Sequence, residues 1–373
     1  MLPLNRRVYL DYNATTPPLE EVLDAQREAA HVAWANPSSI HADGRKARAV
    51  VEDARARIAE LVGCDPRDVI LTSGGTEANN IGIKSAMAAK KGSLVTSRLE
   101  HPSVVKVAEA LDCEGREIFW CPADSRGAMD LAALEKYLQS ATVAAFAIQA
   151  VNSETGIIQP MSELRALALK ANAWLHVDAV QAIGRVEETA VGATSRSISA
   201  HKLRGPKGVG ALVTQADVKI EPVLRGGAQE RGLRPGTVDP IAAAGFGVAA
   251  VYAKTSAARY AMQAVLRDAI EAELVALGGT VNGSGPRAPH VTNVSFPKWT
   301  GAELVAALDL EGISISSGSA CSAGTIEPST VLAEFVSLER ANSAVRISLG
   351  VSTSRAEVDL AIQAFRKVIA RST

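Results

Sequence analysis

Lys202 stands in the run Ser199-Ala200-His201-Lys202-Leu203-Arg204-Gly205-Pro206-Lys207-Gly208, which follows a short apolar stretch of strand character. Upstream, Trp174-Leu175-His176-Val177-Asp178-Ala179 ends another apolar run on a carboxylate. An amine at a glycine-rich turn, a hydroxyl and an imidazole just before it, and an acid at a strand end suit a covalently held pyridoxal phosphate. Lys202 would form the Schiff base, Asp178 would pair with the pyridinium nitrogen, and Ser199 and His201 would reach the phosphate. Taken alone, Ser-x-His-Lys says little, because most lysines beside glycine are solvated turn residues. The weight comes from Asp178 and from the elements that would bring further groups to the same place.

Those elements alternate. Val69-Ile70-Leu71-Thr72 reads as a buried strand running into Ser73-Gly74-Gly75-Thr76-Glu77-Ala78-Asn79-Asn80 and an alanine-rich helix to about residue 91. Free N–H groups at such a helix start favour a phosphate, although the spacing is neither a Walker loop nor Gly-x-Gly-x-x-Gly. Leu94-Val95-Thr96-Ser97 is a further strand, and His101 follows it at a helix start. Strand-like runs recur at 117–120, 143–149, 174–178 and 209–214, with helical patterns at 130–139 and 160–172 between them. This predicts an α/β fold with a parallel or mixed sheet covered on both faces. Ligands of such sheets bind beyond the carboxyl ends of strands, where residues 72–76, His101, Ser153 and residues 178–181 all fall.

Before the sheet, helices are predicted at 19–33 and 45–62, the second stopped by Gly63, with a polar loop at 36–44 between them. After it come a glycine- and arginine-rich loop at 225–237, read either as a linker or as an anion or subunit contact, and one long helix over about 239–277. Strands at 291–296, 313–316 and 344–348 then alternate with helices at 301–310, 329–337 and a last one ending near 370.

A chain of 373 residues predicts two domains or one large α/β unit. Apolar residues at 47%, charged residues at 21% and a net charge of -1 fit a soluble enzyme and give no footprint for direct nucleic-acid or membrane binding. No apolar run reaches the roughly 18 residues of a membrane span, and the first nine residues carry no apolar leader core, so the expected location is the cytoplasm. Four cysteines without Cys-x-x-Cys spacing, and six histidines without a His-x-x-x-His pair, predict neither a disulfide framework nor a metal. Cys64, Cys113 and Cys121 read as small buried hydrophobes. Cys321 differs. Its loop, Ser316-Ser317-Gly318-Ser319-Ala320-Cys321-Ser322-Ala323-Gly324-Thr325-Ile326-Glu327-Pro328, is nearly all small and polar, which predicts a mobile, exposed cysteine and a candidate nucleophile.

Together these stretches resemble the cysteine desulfurases of the NifS/IscS type, in the class V aminotransferase group of fold-type I pyridoxal-phosphate enzymes. The likeness runs in order along nearly the whole chain. It includes Tyr9-Leu10-Asp11-Tyr12-Asn13-Ala14-Thr15-Thr16-Pro17, Asn36-Pro37-Ser38-Ser39, Thr72-Ser73-Gly74-Gly75-Thr76-Glu77 and Glu100-His101-Pro102. It continues through His176-Val177-Asp178-Ala179-Val180-Gln181, His201-Lys202, Gln229-Glu230-Arg231-Gly232, Ser319-Ala320-Cys321 and Val345-Arg346-Ile347-Ser348.

The resemblance implies a large domain (16–255) with a mainly parallel seven-stranded sheet flanked by helices. It also implies a smaller α+β domain (1–15 and 256–373) carrying the cysteine loop, about 316–328. Lys202 holds the cofactor and carries the Cα proton, Asp178 meets the ring nitrogen, His101 stacks on the ring and transfers protons, and Gln181 bonds the phenolic oxygen. Gly75, Thr76, Ser199 and His201 hold the phosphate, with Thr237 arriving from the second subunit of a homodimer. Arg346 takes the substrate carboxylate beside Asn13, and Cys321 takes sulfur from L-cysteine as a persulfide for an acceptor protein, leaving L-alanine. Iron–sulfur cluster assembly is one destination of such sulfur.

Three positions depart from the pattern: Ser153 stands where a second asparagine usually bonds the phenolic oxygen, Ala228 replaces a glycine, and Arg204 follows His-Lys-Leu. A selenocysteine or cystine lyase of the same fold is the rival enzyme, and a non-catalytic scaffold the rival outside catalysis. Cys321 weighs against β-elimination, which needs no enzyme thiol.

Overall fold

A computed structural model describes residues 7–187, 190, 192–318 and 328–372. Strand β1 (Val8–Tyr9) stands apart, and seven strands, most of them largely apolar, make the main sheet. They are β2 (Val69–Thr72), β3 (Ser93–Ser97), β4 (Ile118–Cys121), β5 (Val143–Gln149), β6 (Trp174–Asp178), β7 (Ser195–Ser199) and β8 (Gly210–Thr214). Their order is β2-β8-β7-β6-β5-β3-β4. Only β8 runs against its neighbours, so the other six strands present their carboxyl ends at one edge. Every residue of β5 is buried, as expected of a strand with helices over both faces.

Helices α1 (Glu20–Val32) and α2 (Ala42–Val62) precede the sheet, and α3 (Gly75–Ala89), α4 (Pro102–Cys113), α5 (Leu131–Leu138), α6 (Met161–Lys170) and α7 (Pro240–Ala253) complete its layers. Ile81 of α3 and Val104 of α4 pack with Leu94, Ala145 and Leu212 on one face. Ile58 of α2, Leu134 of α5, Leu164 of α6 and Phe246 of α7 pack with Phe146, Ile148 and Val177 on the other.

Beyond α8 (Ser256–Ala261) and α9 (Ala264–Ala276), the strands β9 (Thr280–Val281), β10 (Val291–Ser295), β11 (Ile313–Ser314), β12 (Ser316–Ser317) and β13 (Ala344–Ser348) follow, with α10 (Gly301–Leu310), α11 (Leu338–Asn342) and α12 (Arg355–Ile369) between and after them. A four-stranded sheet, β12-β13-β10-β9, forms there, and β1 pairs with β11. Val8 and Leu10 share a core with Leu274, Val294, Leu304, Ile347 and Phe365, so the start of the chain is built into the same unit as its end.

Several expectations fail locally. The long helix over 239–277 breaks, with a bend of 61° between Pro240–Ala253 and the helical stretch Ser256–Ala276. Ser256 Oγ donates to the Gly184 carbonyl at the break, a tertiary bond invisible to apolar periodicity. Helix α2 starts at Ala42, inside the predicted loop, because the His41 side chain caps it by accepting the Gly44 N–H. Residues 329–337 hold a 3-10 turn (Leu332–Glu334), and Ser337 caps the separate α11. The strand predicted at 313–316 splits at Ile315, one half pairing with β1 and the other with β13. Cys113, expected in the core, is exposed at the end of α4, while Cys64 is half-buried and Cys121 buried.

Candidate active site

The carboxyl edge of the main sheet holds a cavity of about 290 Å³. Its phosphate-like corner is a turn only glycine fits. Gly74 has φ 154, and a Cβ on Gly75 would stand 2.6 Å from Val180 Cγ2. Without side chains in the way, the start of α3 is open to the cavity, and Thr76, Ser199 and His201 line the same space. The turn and the helix N-terminus together make an anion cradle. Burial, and then the nearby Lys202 and Arg185, push His201 down to about 4, so its ring is neutral near pH 7 and the positive end of the cradle is the α3 N-terminus.

Lys202 follows β7 on a short turn, and its Nζ donates to the Asn13 and Ala14 carbonyls at 2.5 and 2.8 Å. Across the cavity Asp178 closes β6. Its Oδ1 accepts the Val180 N–H at 3.0 Å and its Oδ2 accepts from Asn79 Nδ2 at 2.8 Å. His101 caps α4 by accepting the Ser103 N–H on Nδ1 at 3.1 Å. Burial holds the His101 ring below its ordinary range, Lys202 adds to this, and Asp178 opposes it. Beside them Glu100 is fully buried, and burial followed by the Asp178 charge raises its carboxyl well above the usual range. It accepts the Gln149 N–H at 2.7 Å, which ties the end of β5 to the turn carrying His101.

Arg346 comes from β13 of the second sheet and closes the cavity opposite Lys202. Its Nη2 donates to Asp11 at 2.7 Å and its Nη1 to the Ser153 carbonyl at 3.1 Å, while its Nε is buried without a partner. A guanidinium lining the cavity is a ready partner for a substrate carboxylate.

Arg185 is fully buried, at 0% exposure. It donates to Asn13 Oδ1 (2.7 Å), Gln181 Oε1 (2.5 Å), and the Tyr12 (3.0 Å) and Lys202 (2.9 Å) carbonyls. Because guanidinium only donates, Gln181 turns its Oε1 to Arg185. Its Nε2 spends one N–H on the Asn13 carbonyl at 3.0 Å, and a second N–H remains for the cavity. Asn13 Oδ1 accepts from Arg185 and from His290, the latter at 3.0 Å, and Asn13 Nδ2 donates to the Ser153 carbonyl at 3.0 Å. Asn13 therefore frames the cavity and holds Lys202 through its own carbonyl.

Asn13, Gly75, Thr76, His101, Ser153, Asp178, Gln181, Ser199, His201, Lys202 and Arg346 thus meet at one cavity. Thr237 does not line it and is exposed on the loop before α7. Cys321 lies outside the described residues. The described ends of its loop converge on buried Glu154, which accepts from Ser329 Oγ at 2.5 Å and has Gly318 packed against it. Burial pushes the Cys64 and Cys121 thiols up to about 11 and about 12, which leaves them poor nucleophiles.

Sequence reasoning missed Asn79, Ser103, Arg185 and His290. Asn79 was within reach, since it sits one helical turn beyond Thr76 on the same face of α3. Arg185 and His290 carry no local signal, as their partners are far away in the chain.

The donor set fits pyridoxal phosphate: an anion cradle at α3, an acceptor in Asp178 for a ring N–H, an amine in Lys202, and an N–H on Gln181 for a ring oxygen. Comparison with known proteins points the same way. The class-V aminotransferase family model matches residues 8–360. The cysteine desulfurase IscS of Dictyoglomus turgidum is 37% identical over 376 residues, spanning 98% of this chain and 95% of its own. Among solved structures, a NifS-like protein superposes with a TM-score of 0.90 at 31% identity, covering 98% of this chain and 100% of its own. SspA in complex with cysteine superposes at 0.80 and 29% identity, over 92% and 99%.

Proposed function

From the premise that the chain belongs to the class-V aminotransferase family and is a pyridoxal-phosphate-dependent cysteine desulfurase, we propose that it converts L-cysteine to L-alanine with Cys321 as the thiol that takes the sulfur. The observation that carries this is the meeting of Lys202, Asp178, His101 and Arg346 around one cavity. When bound, the cofactor supplies an electron sink that labilises the substrate Cα–H and Cβ–S bonds. The chain does the rest. Gly75, Thr76, Ser199 and His201 hold the phosphate, and the Asp178 carboxylate holds the ring nitrogen. Gln181 holds the phenolic oxygen, with the shorter Ser153 beside it. Arg346 binds the substrate carboxylate, and the Lys202 amine takes and returns the Cα proton. The Cys321 thiolate forms an S–S bond as the Cβ–S bond breaks and protons return to the amino acid. Atoms balance as cysteine plus thiol giving alanine plus persulfide, with no outside oxidant or reductant.

The persulfide passes to an acceptor protein, and a thiol with that task belongs in a reducing compartment such as the cytoplasm. A homodimer would bring the partner subunit's loop to the cavity edge, which gives exposed Thr237 a phosphate to meet. Val32, Trp34 and Ile40 are apolar residues exposed at 49%, 70% and 86%, which a second copy would cover. Product analysis with L-cysteine tests the reaction. Alanine and sulfide equivalents are expected, whereas pyruvate and ammonia would make the protein a lyase.

A further inference from the structure

Asn79 is 1% exposed and makes every hydrogen bond that its amide can. The network through it has a single polarity. Trp174 Nε1 can only donate, and it donates to Ser195 Oγ at 2.8 Å. The Ser195 hydroxyl, buried on β7, donates in turn to His176 Nδ1 at 2.8 Å. His176 then carries its proton on Nε2 and donates it to Asn79 Oδ1 at 3.0 Å, beside a second bond from Ser197 Oγ at 2.6 Å. Burial holds His176 down at about 4, which agrees with a neutral ring in this position.

The other end gives the same answer. Asp178 as a carboxylate only accepts, so Asn79 must present Nδ2 to it at 2.8 Å. Turning the amide round would set its oxygen against the Asp178 oxygen. The remaining Nδ2 hydrogen goes to Ser103 Oγ at 2.8 Å, and the Ser103 hydroxyl then has His101 Nδ1 to donate to, at 2.7 Å. That nitrogen also accepts the Ser103 N–H at 3.1 Å. Two donors converge on it. A proton there would face both.

We propose that Asn79 and Ser103 are positioning residues that hold His101 as the neutral Nε2–H tautomer, so that the ring offers the reaction a hydrogen-bond donor and Lys202 is left to carry the proton. This rests on the desulfurase reading for its catalytic meaning, but the tautomer itself does not. The charged groups facing the His101 ring are Asp178 at the end of β6 and Lys202 after β7, while Ser103 supplies two hydrogen bonds to Nδ1.

Nitrogen NMR of 15N-histidine-labelled protein, without and with pyridoxal phosphate, tests the tautomer between about pH 6 and pH 9 and follows the titration down to about pH 4, with His101→Gln to assign the signal. The native chain is expected to show a protonated Nε2 and an unprotonated Nδ1 in both states. Ser103→Ala should raise the pH at which the ring titrates by about one unit and lower kcat about tenfold, with KM for L-cysteine within about threefold. Ser103→Thr, which keeps the hydroxyl, should restore all three. Asn79→Ala should shift the ring likewise, and adding Ser103→Ala to it should shift the ring no further. A native ring carrying its proton on Nδ1, or on both nitrogens across this range, would overturn the proposal. So would an unchanged titration in Ser103→Ala. If the native chain makes no alanine while the tautomer is as stated, the desulfurase reading fails and the tautomer assignment stands.

Discussion

Arg346 shows how much of this site depends on single atoms. Two of its nitrogens are tied to Asp11 and to the Ser153 carbonyl, which fixes the fork of the guanidinium at the cavity wall. Lysine would keep the charge and lose the forked geometry. Steady-state kinetics of Arg346→Lys should therefore show KM for L-cysteine raised about 10- to 100-fold, the span of one or two charge-assisted hydrogen bonds. Glu154 makes a pH prediction. Burial raises its carboxyl from 4.5 to about 7, so between these values the folded chain holds a proton that the unfolded chain has released. Stability therefore falls as pH rises through that window and stays lower above it. Glu154→Gln can still accept from Ser329 and should be the more stable protein at pH 8 by on the order of 1–3 kcal/mol, with the gap closing towards pH 4, read from urea midpoints. At this scale the sequence was legible where a residue type has one chemical use. Lys202 and Asp178 are such residues, whereas Arg346 was reached only through the family resemblance. Arg185 was not, because its worth lies in bonds to Asn13 and Lys202, distant in the chain and joined only by folding.

The elements were legible because strand ends are where ligands sit in such sheets. Apolar runs located β2, β3, β5 and β6, and their carboxyl ends delivered Gly75, His101, Ser153 and Asp178 to one edge. Breaks were not legible. The bend after α7 and the early start of α2 come from side chains, Ser256 and His41, bonding to backbone that periodicity cannot see. The turn into α3 is the most constrained of these elements. A methyl on Gly75 would meet Val180, whose N–H holds Asp178. Gly75→Ala should weaken cofactor binding at least about tenfold, followed by absorbance titration, by crowding the cradle and shifting Asp178 together.

Over the whole molecule, two sheets meet at the cavity, one supplying Lys202 and Asp178 and the other Arg346. Strand β1 pairs with β11 and packs into the core of the second sheet, an association its short apolar run does not announce. If exposed Trp34 is covered by a second copy in the proposed homodimer, Trp34→Glu should move the chain towards monomer in sedimentation and lower activity. The passage of sulfur to Cys321 is the claim on which the rest depends. Peptide mass mapping after one turnover with L-cysteine, on native chain and Cys321→Ser, measures it directly. The expected result is persulfide on the Cys321 peptide matched by one alanine, with the variant binding cofactor yet yielding no alanine. Full alanine yield from the variant, or the sulfur on Cys64, Cys113 or Cys121, would contradict it.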